Sequence, residues 1–339
     1  MSESPLDRVP EACRALARSA LDAVVGAKPV TALQPMTGGA SGALAYRIDA
    51  DGRSYLLRIE AGVNARQNPG HYACMESAAE AGIAPPLRFV DAERGVALMD
   101  FVSQRPLTDY PGGPPALMRG MGELVRRLQT SAEFPPARIG YLELIGRMLA
   151  FLRGSRVFAE GLLDRHAEGF ERIREAYPWN AAALVPSHND PNPRNILFDG
   201  TRLWLVDWET AYLNDPLTDP AVVTHELAVT PELERALLRS WLGAEPDAAT
   251  GARLALMRQL TRLFFACALF RHFAGDPGRR PDTDLTALTA AEFVAALQSG
   301  RLRPGTPPVL YEFAKMFLAG FSAGLSAPGF EEALRLARH

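Results

Sequence analysis

The sequence predicts an α+β protein in two parts: a small antiparallel sheet with one inserted helix over residues 1–102, and a larger, mostly helical remainder over residues 103–339. Three observations carry this. Short β-like runs before residue 102 are separated by turn signals, among them Asp51-Gly52, a dipeptide that favours a two-residue hairpin. Long segments with apolar residues at three- and four-residue spacing dominate residues 103–339. One further strand pair, near residue 200, interrupts those helices. At 339 residues the chain can bury a sizeable core and form two packed units or one large two-lobed domain.

In chain order, Leu6 to Val25 has the apolar spacing of an amphipathic helix. Pro35 to Gly42 is turn-rich, Ala43 to Ile48 is strand-like, and Tyr55 to Ile59 forms the second arm of the Asp51-Gly52 hairpin. Asn68 to Ala81 is helical, stopping at Gly82 ahead of Pro85-Pro86. Phe89 to Asp91 and Gly95 to Phe101 are two more strands joined by the charged turn Asp91 to Arg94. Leu117, Met121, Leu124, Val125 and Leu128 then share one helix face. Periodic segments run from Leu142 to Tyr177, Pro231 to Leu242, Ala252 to Ala274, Thr289 to Gln298 and Val309 to Leu325. The interrupting pair is Asn195 to Phe198 and Leu203 to Asp207, around the turn Asp199 to Arg202. Tyr110 to Pro115 and Gly275 to Pro281 are proline-rich loops.

Composition excludes several chemistries. With 39 acidic and 36 basic side chains the formal charge is -3, and no basic stripe runs along the chain, so nucleic acid is not an expected partner. Only Lys28 and Lys315 are lysines. A P-loop needs Gly-Lys-Ser/Thr and a Schiff-base enzyme needs a desolvated lysine, so neither is expected. Cys13, Cys74 and Cys267 are too far apart for a thiolate zinc site or a disulfide framework. The first ten residues lack the basic and apolar regions of a signal peptide. The longest strongly apolar run, Leu263 to Phe270, is far short of the roughly 20 residues that span a bilayer. The expectation is a cytoplasmic protein without a membrane partner; its oligomeric state is open.

The informative stretch is Ser187-His188-Asn189-Asp190-Pro191-Asn192-Pro193-Arg194-Asn195, followed by Leu205-Val206-Asp207-Trp208-Glu209. A tight hairpin at Asp199-Gly200 sets Asn195 opposite Val206 and Asp207, and Asp190, five residues before Asn195, reaches the same edge. Two carboxylates and an amide oxygen suit a hard cation such as magnesium, which takes few protein oxygens and leaves positions for phosphates. One carboxylate is then available to accept a hydroxyl proton. Singly, each of these residues is an ordinary turn former. Their co-occurrence, His-x-Asp-x-x-x-x-Asn, a strand pair, then an apolar run ending in Asp, points to chemistry.

This spacing resembles the catalytic loop and metal-binding Asp of protein-kinase-like enzymes, in the variant of the aminoglycoside phosphotransferase and choline/ethanolamine kinase superfamily. The segment Val185 to Asp219, with Asp-Trp-Glu where a protein kinase has Asp-Phe-Gly, is similar to the small-molecule kinases. The resemblance implies a bilobal protein-kinase-like fold, ATP and Mg2+ as cofactors, and transfer of phosphate to the hydroxyl of a small molecule. It implies Asp190 as catalytic base, His188 as an orienting residue, and Asn195 and Asp207 as metal ligands.

The same resemblance, traced over about Leu33 to Val222, makes residues 1–102 a nucleotide lobe. Thr37 to Gly42, with Gly38, Gly39 and Ser41, is similar to the glycine-rich loop over the phosphates, although a Gly cluster alone is also an ordinary turn. Arg58 stands where a protein kinase has its strand lysine; a guanidinium offers phosphate a bidentate fork and stays charged when partly buried, and the alternative is an arginine facing solvent. Its expected partner is Glu76, then Glu80, with His71 as the other alignment. Leu98 to Val102 resembles the linker between lobes, where backbone groups of Met99, Asp100 and Val102 would meet the adenine edge.

The acceptor is less legible. From Ala221 to His339, 12 acids face 13 bases, which gives no support to a polycationic aminoglycoside. Aromatic residues are frequent there, and Trp208, Glu209 and Tyr212 come just after the metal Asp, so these three are candidate substrate contacts. Aromatic faces attract quaternary ammonium, but aromatic stripes on helices ordinarily form core. The acceptor expectation leans towards an amino-alcohol such as choline or ethanolamine, with sugars and thiamine-like alcohols open. Two other classes compete. One is a non-catalytic nucleotide-binding module, motivated by Arg58 in place of lysine. The other is a metal-dependent or serine hydrolase, against which stand the absence of ligand spacing among the histidines and of a Gly-x-Ser-x-Gly motif.

Overall fold

The computed structural model describes residues 5–36, 43–60, 70–228, 230–275 and 278–338. By internal contacts the chain forms two compact units, one of residues 1–136, 185–213 and 226–244, the other of 137–184, 214–225 and 245–339.

The first unit is built on helix α1 (Glu11–Val24) and five antiparallel strands, β1 (Val30–Met36), β2 (Leu44–Ala50), β3 (Arg53–Ile59), β4 (Leu87–Asp91) and β5 (Val96–Asp100), in the order β1-β2-β3-β5-β4. The β2–β3 hairpin turns at Asp51 and Gly52, both with positive φ (53° and 70°), as the two-residue turn requires. Burial alternates along β2 and β3, and the buried set Tyr46, Ile48, Tyr55, Leu57 and Ile59 packs with Cys13, Ala17, Ala20 and Leu21 of α1. Each such aliphatic side chain removed from water contributes about 1.5 to 3 kcal/mol, so this face anchors the sheet. The turn-rich reading of Pro35 is corrected: Pro35 belongs to β1, an edge strand, where its missing N–H costs no ladder bond.

Helix α2 (His71–Glu80) is inserted between β3 and β4 and buries His71, Tyr72, Cys74, Met75 and Ala78. Helix α3 (Gly113–Ser131) carries the expected apolar face, with Leu117, Met121, Leu124, Val125 and Leu128 buried. The short strands β6 (Val185–Ser187), β7 (Ile196–Phe198), β8 (Leu203–Leu205) and β9 (Tyr212–Asn214) frame the motif segment as two ribbons, β6 with β9 and β7 with β8.

The second unit contains α4 (Tyr141–Gly154), α5 (Asp164–Ala176), most of α6 (Thr218–Glu226), α8 (Ala248–Phe270), α9 (Ala290–Gln298), α10 (Pro307–Leu325) and α11 (Phe330–Ala337); α7 (Pro231–Leu242) belongs to the first. The segment expected as one run from Leu142 to Tyr177 is thus two helices, α4 and α5. α8 is the central helix, with Leu254, Met257, Leu260, Leu263 and Phe270 buried, which explains its weak amphipathicity. Where α8 meets α10, Gly320 and Gly324 leave room for the side chains of Arg262 and Gln259. No helix among the described residues is long and apolar enough to cross a membrane.

Candidate active site

The hairpin β7–β8 pairs Ile196 with Leu205 and Phe198 with Leu203. Its turn is fixed by Asp199, whose Oδ1 accepts from the amides of Thr201 (2.7 Å) and Arg202 (2.8 Å) while its Oδ2 accepts from Trp204 Nε1 (2.8 Å). Although burial works to raise it, a bond from the Thr201 hydroxyl to Oδ1 (2.6 Å), followed by those from Trp204 and the two amides, holds the Asp199 carboxyl far below its ordinary range. At the open end of the hairpin the Val206 amide donates to the Asn195 carbonyl (3.0 Å), so Asn195 lies opposite Val206 and beside Asp207.

The loop between β6 and β7 folds back on this end. Asn192 N–H donates to the Asp190 carbonyl and Asn195 N–H to that of Asn192, at 2.8 and 2.9 Å. The side-chain amides then orient the Asp190 carboxylate: Asn192 Nδ2 donates to its Oδ1 (2.8 Å) and Asn195 Nδ2 to its Oδ2 (3.3 Å). With its Nδ2 turned towards Asp190, Asn195 has Oδ1 as the end available for coordination.

His188 and Asn189 hold the loop from beneath. His188 is fully buried and its Nε2 lies 2.9 Å from the Val206 carbonyl, which can only accept, so Nε2 carries the hydrogen. Burial pushes the ring down to about 4, leaving it neutral. Asn189 adopts a left-handed conformation (φ 66°), tolerable for Asn, and its Nδ2 donates to the Thr210 carbonyl (2.8 Å). Thr210 Oγ1 donates in return to the His188 carbonyl (3.1 Å). Asp207 is also left-handed (φ 68°, ψ 70°), a conformation that among residues other than Gly is adopted chiefly by Asn and Asp.

Arg58 extends from β3 into this cluster. Its Nη1 donates to Asp207 Oδ1 (3.0 Å), its Nη2 to Glu209 Oε1, and its Nε to Glu60 Oε1 (3.2 Å). His71 Nε2 lies 3.1 Å from the same Glu60 oxygen. The expected pairing of Arg58 with Glu76 is corrected. The buried face of α2 is that of residues 71, 72, 74, 75 and 78, which leaves Glu76 and Glu80 outside it, lining a surface recess with Leu87, Arg88 and Phe89. The open alternative, His71, is the helix residue that reaches this cluster, through Glu60.

Trp208 is corrected as a substrate contact: it is 2% exposed, edge-on to Phe134 at 5.9 Å and 4.6 Å from the His188 ring. Glu209 is engaged by Arg58, and Tyr212 is half-buried on β9. Gly38, Gly39 and Ser41 lie outside the described residues. Around Met99, Asp100 and Val102, the Asp100 amide donates to the Pro86 carbonyl (2.9 Å) and the Phe101 amide to that of Ser54 (3.0 Å). Asp100 also forms a two-bond pair with Arg88 (2.7 and 2.6 Å).

Sequence reasoning missed Glu60, Asn192 and Thr210. Glu60 was legible, since residues two apart on a strand share a face and Glu60 comes two after Arg58. Thr210 carried no signal, because its role is set by a contact across 22 residues.

The donors gathered here are oxygens. Among the described residues no group of three or more His, Cys, Asp or Glu could hold a metal alone. A hard cation at Asp207 and Asn195 would therefore draw further ligands from phosphates or water, which fits magnesium better than zinc or calcium.

Residues 32–260 match the phosphotransferase enzyme family. Protein LicA of Haemophilus influenzae (strain ATCC 51907 / DSM 11121 / KW20 / Rd) is 25% identical over 199 residues, 57% of this chain and 74% of LicA. A choline/ethanolamine kinase family protein from Mesorhizobium loti has a crystal structure with a TM-score of 0.67 to this one at 24% identity, covering 96% of this chain and 98% of its own. A spectinomycin phosphotransferase solved with ADP and spectinomycin has a TM-score of 0.59 at 12% identity, covering 95% and 97%. The fold shared with these structures is the kinase-like one expected from the motif order.

Proposed function

The chain belongs to the phosphotransferase enzyme family, and from that premise we propose that it transfers the γ-phosphoryl group of ATP, with Mg2+, to the hydroxyl of a small molecule, favouring an amino-alcohol such as choline or ethanolamine. The observation that supports it best is the gathering of Asp190, Asn195 and Asp207 at the open end of one tight hairpin, with Arg58 bonded to Asp207.

In this reading Asp190 accepts the proton of the acceptor hydroxyl, its carboxylate aimed by Asn192 and Asn195. Asn195 and Asp207 hold Mg2+, which when bound neutralises charge on the phosphates. Arg58 supplies a charged, forked donor to the triphosphate. Neutral His188 fixes the distance between the catalytic loop and the backbone preceding Asp207. Residues 1–102 serve the nucleotide, with Gly38, Gly39 and Ser41 over the phosphates and backbone groups of Met99, Asp100 and Val102 at the adenine edge. Residues 103–339 carry the catalytic loop and the acceptor site, where Glu209 and Tyr212 are the remaining candidate contacts. Positioning and charge stabilisation supply most of the rate in such a transfer.

The amino-alcohol preference is supported by the relative described as a choline/ethanolamine kinase family protein and by the balance of acids and bases beyond Ala221. The spectinomycin enzyme makes aminoglycoside-like acceptors the second arm of the test. ADP release with Mg-ATP is measured across amino-alcohols, sugars, thiamine-like alcohols and aminoglycosides. Turnover is expected with an amino-alcohol, and Asp190→Asn should lower kcat about a thousandfold while leaving ATP affinity in place. Near-normal turnover in Asp190→Asn would remove Asp190 as the base. Mg-ATP binding without turnover on any alcohol would instead make the chain a nucleotide-binding module.

A further inference from the structure

The partners of Arg58 are of two kinds. Asp207 and Glu209 side chains are each 36% exposed, whereas the Glu60 side chain is 2% exposed. Glu60 is fixed at both ends. Its amide donates to the Gly95 carbonyl (2.8 Å), continuing the β3–β5 ladder by one residue. Its Oε1 accepts from both Arg58 Nε (3.2 Å) and His71 Nε2 (3.1 Å). His71, the first residue of α2, is itself buried, with its ring 4.1 Å from that of Tyr72.

We propose that Glu60 and His71 form a positioning pair that holds the Arg58 guanidinium by its Nε, so that Nη1 and Nη2 face the site where the triphosphate binds. This rests on the nucleotide reading above and adds to it the residues that make a strand arginine work without an acid from the helix. A buried carboxylate is stable only when paired and hydrogen-bonded, and Glu60 has both partners on one oxygen. Burial works to raise its pKa, but the His71 hydrogen bond and the charges of His71 and Arg58 outweigh it and keep the carboxyl below its ordinary value. The bond to Nε uses the part of the guanidinium nearest the backbone, which leaves the fork free to exchange Asp207 and Glu209 for phosphate oxygens.

The test is titration calorimetry with Mg-ATP, alongside ligand-observed NMR with adenosine, which has no phosphate for Arg58 to meet. Wild type is measured first, and absence of Mg-ATP binding there would overturn the nucleotide reading itself rather than the pair. Given wild-type binding, Glu60→Gln should weaken ATP about tenfold, the size of a charge-assisted hydrogen bond, and leave adenosine unchanged. Arg58→Ala with Glu60→Gln should be no weaker than Arg58→Ala alone, because Glu60 acts through Arg58. His71→Ala should behave like Glu60→Gln, and His71→Gln, whose amide Nε2 can donate to the same oxygen, should recover most of the loss. If Glu60→Gln does not fold, the two His71 variants carry the test. Wild-type ATP affinity in Glu60→Gln, an equal loss for adenosine, an additive loss in the double variant, or no difference between His71→Ala and His71→Gln would each overturn the proposal.

Discussion

Arg58 and Arg262 are both partly buried guanidinium groups, one in each compact unit, and they are surrounded in opposite ways. Arg58 meets three carboxylates, Glu60, Asp207 and Glu209. Arg262 donates to Gln259 Oε1 (3.1 Å), to the Gly320 carbonyl (3.3 Å) and to His225 Nδ1 (3.2 Å), and among the described residues it pairs with no carboxylate. Burial and the neighbouring Arg258 push the Arg262 pKa down, while burial, Arg262 and Arg258 push His225 down to about 4. Three acids around one cation leave negative charge in excess, an arrangement that stabilises an incoming cation more than it stabilises the fold. Arg262, with Arg258 beside it, leaves positive charge in excess instead, and all of its bonds run to neutral acceptors on packed helices. It ties α6, α8 and α10 together by directional bonds. Charge stoichiometry around an arginine, and not its burial, separates the two roles.

The largest expected effect comes from the excess. Asp207→Asn removes a charged ligand of the proposed metal site but leaves Arg58 bonded to Glu60 and Glu209. Turnover should fall about a thousandfold. The melting temperature should hold or rise, because one of three like charges is gone. A large loss of melting temperature, with turnover per folded molecule kept, would reverse the comparison.

The converse variant is Arg262→Met, which stands in for the aliphatic stem and removes the charge and the donors. It leaves Gln259 Oε1, the Gly320 carbonyl and His225 Nδ1 without their donor, and should cost about 2 to 3 kcal/mol of unfolding free energy by urea denaturation. kcat per folded molecule should not change. Wild-type stability would show that the tie is made by apolar packing alone. A fall in kcat at full stability would move Arg262 into the functional class.

The sequence was most informative where short-range chemistry decides structure. Asp51-Gly52 dictates the β2–β3 hairpin, and Asp199-Gly200 turns the chain so that Asn195 meets Val206, which is why Asp190, Asn195 and Asp207 could be brought to one edge from spacing alone. It was least informative where burial is uniform or contacts are distant. Helix α6 buries Thr218 through Thr224 without a polar face, so no helical period marks it. Two misses were legible: α11 keeps Phe330, Ala333, Leu334 and Ala337 at helical spacing, and the break between α4 and α5 begins at Gly154-Ser155-Arg156, a turn signal inside the periodic run. The resemblance pointed to an acid on α2 as the partner of Arg58, Glu76 before Glu80, with His71 as the other alignment; which face of α2 is buried decided against the two acids. The contact of Arg262 with His225 spans 37 residues and joins two helices, so no local pattern encodes it.

The smallest expected effect separates the two arginine sites by pH, although not the two units as wholes, since His188 of the first unit shares the lowered pKa of His225 and His166 in the second. His225, His166 and His188 all have pKa values lowered chiefly by burial, His225 and His188 to about 4. Their neutral forms are the folded ones, while in the unfolded chain each takes up a proton near pH 6.5. Stability from these rings is therefore complete above about pH 6.5 and is lost as pH falls towards about 4, where the folded rings also protonate. Glu60 has the opposite displacement for an acid: held below its ordinary value, it contributes stability that fails only under more acidic conditions, as pH falls through its lowered pKa. Asp215 and Glu226, raised by burial, gain as pH falls and offset part of the histidine loss. The arginine tie of the second unit should thus weaken in mild acid, where the Glu60 contact to Arg58 still holds. His225→Gln keeps an acceptor for Arg262 without a titrating ring, and should flatten the fall in stability between pH 7 and 5 by about 1 to 2 kcal/mol. An unchanged slope in urea denaturation at the two pH values would show that His225 is not what makes the helical unit acid-sensitive.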